Sequence, residues 1–191
     1  MKHVASALFL LVSCTSLALA SQAYVIDRSH SQAKFFIRHF AETVEGTFND
    51  ISGNIAYEES DITKSKVHVV IKIASVDTRS WQRDRHLQGD EFFDVRNFPN
   101  MVFDSQRVEK RASGLVAIGT LTMRGTTRPI EIPFSLTINH DSQASGRLDI
   151  RGATVLNRRD YKVGSEEIMD NQIALGNEVK IELALQAIAV R

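Results

Sequence analysis

At 191 residues the chain is long enough for one domain with a substantial core. Its 23 basic and 23 acidic residues cancel, so nothing in the charge favours nucleic acid, and no block of like charge favours a membrane surface. The single cysteine, Cys14, falls in the N-terminal segment, which leaves the rest of the chain without a disulfide, a thiolate nucleophile or a zinc–thiolate site.

Residues 1–20 read as a secretory signal peptide. Lys2 supplies the positive n-region, Val4 to Val12 form the apolar h-region, and Ala18-Leu19-Ala20 offers a small-x-small cleavage site. Cleavage is expected after Ala20, with Ala23 as a second position, and the run is too short for a transmembrane helix. On this reading the mature chain is periplasmic, spans no membrane and carries 22 basic against 23 acidic residues. Leu11-Val12-Ser13-Cys14 gives a minor alternative, a lipobox in which Cys14 becomes a lipidated N-terminus. The apolar character that continues through Leu17 and Leu19 favours the first reading.

Period-2 alternation dominates residues 21–191. Ala33, Phe35 and Ile37 alternate with Lys34, Phe36 and Arg38. Val67, Val69, Ile71 and Ile73 form one face of a second strand. Ile130, Ile132, Phe134, Leu136 and Ile138 repeat the pattern, as do Val179, Ile181, Leu183 and Leu185. Each is a half-buried strand with one apolar face. Shorter strands are predicted at 44–49, 53–58, 101–109, 114–123 and 146–156, separated by turn residues such as Glu58 to Asp61, Arg124-Gly125-Thr126 and Asn139 to Ser145. Pro129 and Pro133 stand inside one strand pattern, so part of that strand belongs at an edge, a strand start or a bulge. There is no linker, low-complexity segment or internal repeat. One all-β domain is expected, an antiparallel sandwich or an up-and-down barrel.

Residues 75–94, SVDTRSWQRDRHLQGDEFFD, interrupt the alternation. Asp77 or Thr78 can cap a helix over 79–88 that stops at Gly89, and a turn carrying Phe92 and Phe93 follows. Beyond Trp81 and Leu87 that helix has little apolar stripe, so it belongs across a surface or an opening rather than in a core.

The same stretch holds His86, Asp84, Asp90 and Glu91, which invites a metal or acid–base reading. Metal sites need convergent ligands, and only one histidine stands here, so ion pairs and helix caps explain the charges better. His30, His39, His68 and His140 are scattered, without H-x-x-x-H or H-E-x-x-H spacing. A G-x-S-x-G motif and a phosphate-cradling glycine loop are both absent. The pairs Glu58/Glu59 and Glu166/Glu167 read as solvated loop charge. No metal, cofactor or catalytic constellation is expected.

Five segments in order carry a resemblance. YVIDRSHSQAKFFIRHF (24–40) is similar to a D-x-x-H-S-x-x-x-F-x-x-x-H opening at Asp27, His30, Ser31, Phe35 and His39. VEGTFNDISGNI (44–55) matches a G-x-F…G segment. Residues 75–105 match the most specific block, S-[IV]-D-T…R-D-x-H-L…F-F-D…[YF]-P…F-x-S. GTLTMRGTTRPI (119–130) and LNRRDYKVG (156–164) complete the set. Together they resemble the YceI-like, polyisoprenoid-binding family of bacterial exported proteins. Two positions depart from its pattern: Gly89, where a small polar residue is more common, and Lys162, where glycine is common. The second leaves open the backbone conformation after Asp160.

The resemblance implies an eight-stranded, lipocalin-like antiparallel barrel with one or two short helices inserted around 79–93 and an apolar pore for a long isoprenoid chain. A barrel of that size can hold one small ligand. From the strands the expected pore lining is Phe35, Ile37, Phe48, Val69 and Ile71, then Phe103, Leu121, Ile132, Phe134 and Leu183. The inserted segment would add Trp81, Leu87, Phe92 and Phe93. Near a ligand head or the mouth the expectation is His30, Arg83, His86, Arg158 and Asp160. The implied function is an exported carrier of a polyprenyl phosphate, prenylated quinone, fatty acid or fatty amide. Two alternatives stand beside it: a head-group enzyme built from His30, His86 and Asp160, or a barrel filled by its own side chains. Exposed strand edges are compatible with a homodimer.

Overall fold

The alternating segments all form strands, and their apolar faces turn to one interior. The computed structural model describes residues 21–139, 146–164 and 175–190. Residues 1–20, expected to be a signal peptide and holding Cys14, the predicted turn at 140–145 with His140, and the Glu166/Glu167 pair lie outside those residues. In chain order the strands are β1 (Gln22–Ile26), β2 (Gln32–His39), β3 (Glu42–Phe48), β4 (Ile51–Tyr57), β5 (Lys66–Lys72) and β6 (Val76–Asp77). The helix α1 (Trp81–Gln88) follows, then β7 (Asn100–Arg111), β8 (Gly114–Met123), β9 (Thr126–Asn139), β10 (Arg147–Asn157) and β11 (Leu175–Ala189).

Neighbours pair antiparallel in the order β1–β4–β5–β7–β8–β9–β10–β11, and β11 returns to pair with β1. β2, β3 and β6 extend three of these strands, so the closed barrel has eight positions, three of them built from two strands each. Closure removes the open edges that a sheet of this size would otherwise expose.

The three composite positions break at one level, at Asp27–Ser31, Asn49–Asp50 and Ile73–Ser75. Side chains there replace lost ladder bonds. The Ser75 hydroxyl accepts from the N–H groups of Asn49 (3.1 Å) and Asp50 (3.0 Å) and donates to the Lys72 carbonyl (2.6 Å). Ser31 Oγ accepts from the Gln186 N–H at 3.0 Å. The Asp50 carboxylate pairs with Arg28 and, at 3.3 Å, with Lys72. Backbone groups left unpaired by a kink need such partners. Ile73, assigned to a strand on its alternation, belongs instead to the 3-10 turn Ile73–Ser75, yet it is fully buried. Burial kept the parity while the backbone left the ladder.

Both prolines of β9 fall where that strand pairs with β8 alone, Pro129 opposite Thr120 and Pro133 opposite Val116. Pairing with β10 begins only at Phe134, opposite Gly152. The first half of β9 is therefore a local edge, where a residue without an N–H costs no ladder bond. Thr154 Oγ1 donates across the resulting seam to the Glu131 carbonyl at 3.1 Å.

Two buried clusters divide the interior. One, around Tyr24, Ile55, Tyr57, Leu148 and Ala187, closes the end that carries the β4–β5 and β7–β8 connections. The larger one surrounds Phe35, Phe48, Ile51, Phe103 and Ile132 toward the other end. Val67 and Ile150 touch both and mark the boundary.

Candidate ligand cavity

The segment between β6 and β7 lies over the end of the barrel opposite the closed one. Its helix starts later than the sequence predicted: Ser80 is the N-cap and makes no side-chain cap bond. Asp77 instead receives the N–H of Arg79 (2.8 Å), which sits in the left-handed region at φ 61°. Asp84, in the first turn of α1, accepts from both the N–H (2.8 Å) and the hydroxyl (2.6 Å) of Thr78. Arg83 reaches back to the same threonine, from Nε to Oγ1 and from Nη2 to the carbonyl, each at 2.8 Å. Gly89 ends the helix, its N–H donating to the His86 carbonyl at 3.0 Å. The charges of this stretch tie the helix to its own entry and exit.

The turn that follows is sealed onto the barrel. The Gly164 N–H donates to the Glu91 carbonyl (3.0 Å), and Arg124 donates to the carbonyl of Asp90. Arg124 and Gly125 both have positive φ (47° and 68°), the signature of a two-residue hairpin loop, here between β8 and β9. Phe92 is buried edge-on beneath the His86 ring, with centroids 4.9 Å apart. His86 Nε2 and Glu91 Oε2 stand 3.0 Å apart across the helix end.

Beneath this cover lies a cavity of about 560 Å³, within the usual range for small-molecule sites. Its wall is almost wholly aliphatic and aromatic. Ala33, Phe35 and Ile37 come from β2, Met101 and Phe103 from β7, Leu121 and Met123 from β8, and Ile130 and Ile132 from β9. One face of β11 contributes Val179, Ile181, Leu183 and Leu185. Phe48, Val69 and Ile71 complete the strand contribution, and Leu87, Phe92 and Phe93 roof it. The polar lining is Lys34 and Thr154 from the strands, with His39, Arg83, His86, Glu91 and Arg158.

A model of the YceI-like domain matches residues 24–187. The chain belongs to the YceI-like family. Among YceI-like relatives, UPF0312 proteins of Yersinia enterocolitica and Yersinia pestis are each 38% identical over 117 residues, covering 60% of this chain. The match spans 61% of the length of those curated relatives. The solved structure of BcnA from Burkholderia cenocepacia superposes with a TM-score of 0.72 at 23% identity, covering 84% of this chain and 98% of that one. A structure from Saccharophagus degradans, described as a polyisoprenoid binding domain, gives 0.67 at 17% identity, covering 88% and 99%. These likenesses carry the fold, an eight-stranded closed antiparallel YceI-like barrel.

Within the YceI-like barrel, some residues named from the sequence stand away from the cavity. Trp81 is 70% exposed: Arg83, His86 and Leu87 occupy the inner side of α1, and Trp81 falls about half a turn away. Phe134 shares a face with Ile132 but packs lower, against the larger cluster, where β9 and β10 join and the interior closes. His30 projects from the break line, with Nδ1 2.8 Å from Asp27 Oδ2. The hydrogen bond from that histidine, followed by the Ser29 N–H, holds the Asp27 carboxyl below its ordinary value. Asp160 is exposed, and its backbone carbonyl accepts from Arg128. No hydrogen bond among the described residues joins His30, His86 and Asp160.

Arg158 is different. It begins the 3-10 turn Arg158–Tyr161, and a three-residue repeat puts Arg158 and Tyr161 on one inward side with Asp160 outside. Arg158 is 5% exposed and Tyr161 is 2% exposed. Lys162 follows in the left-handed region (φ 59°, ψ 27°), which explains why glycine suits that position. Ile130, Val179, Ile181 and Leu185, placed on apolar strand faces by their alternation, line the cavity, and so do Met101, Met123, Leu156, Val163 and Leu175, which were not singled out from the sequence. Parity could have found several: Met101 and Met123 lie two residues from Phe103 and Leu121.

Proposed function

We propose that this protein is an exported lipid-binding protein that holds one long-chain amphiphile, isoprenoid or fatty, inside the barrel. The observation that carries the reading is the cavity of about 560 Å³ with an aliphatic and aromatic wall, roofed by Leu87, Phe92 and Phe93. A filled barrel would leave no such space. The description of the Saccharophagus degradans neighbour as a polyisoprenoid binding domain supports the same ligand class.

Burial of apolar surface is the driving force. Each methylene taken from water contributes roughly 0.8 kcal/mol, offset in part by the cost of ordering a flexible chain. At roughly 30 Å³ per water-sized atom, the cavity has room for about 18 non-hydrogen atoms. That suits a fatty chain or three to four isoprene units; a longer polyprenyl tail would have to pass the cover. Polyprenyl phosphates, prenylated quinones, fatty acids and fatty amides remain the candidate classes. A carrier role asks only for binding and release, so no residue is assigned to bond-making.

Export rests on residues 1–20, with cleavage after Ala20 preferred. Cleavage after Ala23 would remove Gln22 and Ala23, which pair with Tyr57 and Ala56 in the β1–β4 ladder. The protein purified gently from a periplasmic fraction is expected to begin at Ser21 and to release a single-chain lipid into organic solvent. A ligand-free protein by native mass spectrometry that also takes up neither fatty acids nor prenyl lipids would overturn the binding reading.

A further inference from the structure

Arg158 poses a problem that an empty apolar cavity does not solve. Its guanidinium is buried in the cavity wall, where a charge normally meets a carboxylate. Among the described residues it has none. Nε donates to the Gly176 carbonyl at 2.9 Å, and Nη1 donates to the carbonyls of Val163 (2.7 Å) and Gly164 (3.5 Å). Nη2 is buried and has no acceptor among the described residues. Among the described residues the charge that acts on it is another cation, Arg159; burial first, and that repulsion second, pull the Arg158 pKa below the ordinary arginine value.

The backbone is shaped around this side chain. Gly164 has φ 81°, and a Cβ there would stand 2.3 Å from Nη1. The chain thus wraps the guanidinium closely enough to deliver two carbonyls to one nitrogen and leave the other unsatisfied. The Tyr161 hydroxyl and Asn177 Oδ1, also buried without partners among the described residues, belong to the same two segments. Leaving a buried donor unpaired costs roughly the desolvation of that group, and more when it is charged.

We propose that Arg158 anchors the head of the ligand, and that the ligand is a single-chain amphiphile with an oxyanion head, a carboxylate or a phosphate, held under the cover rather than in solvent. The inference rests on the lipid-binding reading and adds to it both ligand charge and orientation. The head lies beside Arg158, beneath the turn whose Glu91 carbonyl accepts from Gly164. The tail runs down the β11 face toward the closed end. A guanidinium suits this task because its fixed fork matches planar or tetrahedral oxyanions and stays charged when buried.

The test compares ligands that differ only at the head: hexadecanoate against hexadecanol, and farnesyl phosphate against farnesol, each titrated into delipidated protein. The wild type is expected to bind the anion of one pair or both at least about ten-fold tighter than its alcohol. The pair that shows the preference says whether carboxylate or phosphate is the natural head. In Arg158→Met the anion-to-alcohol preference is expected to collapse toward one. Should Arg158→Met fail to fold, the wild-type ratio and the Arg158→Lys variant decide, since lysine keeps the charge but loses the fork and is expected to retain part of the preference. Equal binding of anions and alcohols by the wild type overturns the anchor and leaves the lipid-binding reading intact. So does a preference that persists in a folded Arg158→Met protein. Failure of all four compounds to bind overturns both.

Discussion

Phe93 meets Phe48 edge-on, with ring centroids 5.9 Å apart and planes at 82°. One ring belongs to the turn after α1 and the other to β3, so this contact joins the cover to the barrel wall. Both rings line the cavity. Such pairs add about 0.5–1.5 kcal/mol beyond their buried area.

Phe93→Ala is therefore expected to loosen the cover more than the barrel. Stability should fall by up to about 3 kcal/mol, the lower side of the range for a phenylalanine truncation, because Phe93 is only half-buried. Dissociation of a fluorescent fatty acid, followed by stopped flow, should become several-fold faster. Unchanged dissociation would mean that exchange does not pass this turn.

Gly46 faces the Phe35 ring so closely that a Cβ would lie 2.2 Å from Phe35 Cζ and 2.9 Å from Thr78 Cγ2. Gly46→Val should displace that ring into the cavity or away from Phe48. The expected cost is about 1–3 kcal/mol in urea unfolding, typical of overpacking. A crystal structure of the variant should show Phe35 in a new rotamer and a smaller cavity. A stability change within experimental error would show that the wall gives way freely.

Burial, with Asp160 adding to it, pushes the Tyr161 phenol up to about 12. An unfolded tyrosine ionises near 10, so this group contributes full stability below pH ~10. The contribution is lost as pH rises from about 10 to 12, because the unfolded chain ionises first. Tyr24 and Tyr57 are also raised, chiefly by burial, so Tyr161→Phe should remove only part of the alkaline loss. At pH 7 the same variant should be as stable as the wild type or slightly more so, since the hydroxyl has no partner. Thermal unfolding at pH 7 and pH 11 checks both halves.

His86 and Glu91 form a solvent-exposed hydrogen-bonded contact, with side chains 58% and 56% accessible. Such pairs contribute little, so Glu91→Gln should change stability by less than about 1 kcal/mol. Affinity for hexadecanol should also hold within about three-fold. A large loss of binding would show that this pair, which lines the covered end of the cavity, contacts the ligand directly.

Much of this architecture was legible in the residues. Alternation in β2, β9 and β11 identified the inward faces because a strand has a period of two wherever one side is buried. Pro129 and Pro133 announced a local edge, and Gly89 a helix stop, because missing donors and missing Cβ atoms restrict backbone in ways independent of context. The aromatic turn was legible too: Phe92 and Phe93 have no reason to stand among charges unless something apolar lies beneath.

Other features needed the fold. Trp81 looked like a natural lining residue by size, but the helical phase of α1 set it outside. Ile73 kept its burial while its backbone turned, because the distant Pro99 carbonyl accepts its N–H and Ser75 of the same turn accepts from Asn49 and Asp50. His30, Asp160 and Arg158 were equal candidates at the mouth; a 3-10 turn buried only the last of them. Local pattern, set by backbone stereochemistry and solvent exclusion, determined that this chain makes an all-β antiparallel domain with an apolar interior and an inserted polar helix. Only the tertiary structure decided where that interior stays hollow and which cation is buried in its wall, because both depend on segments far apart in sequence packing within a few ångströms of one another.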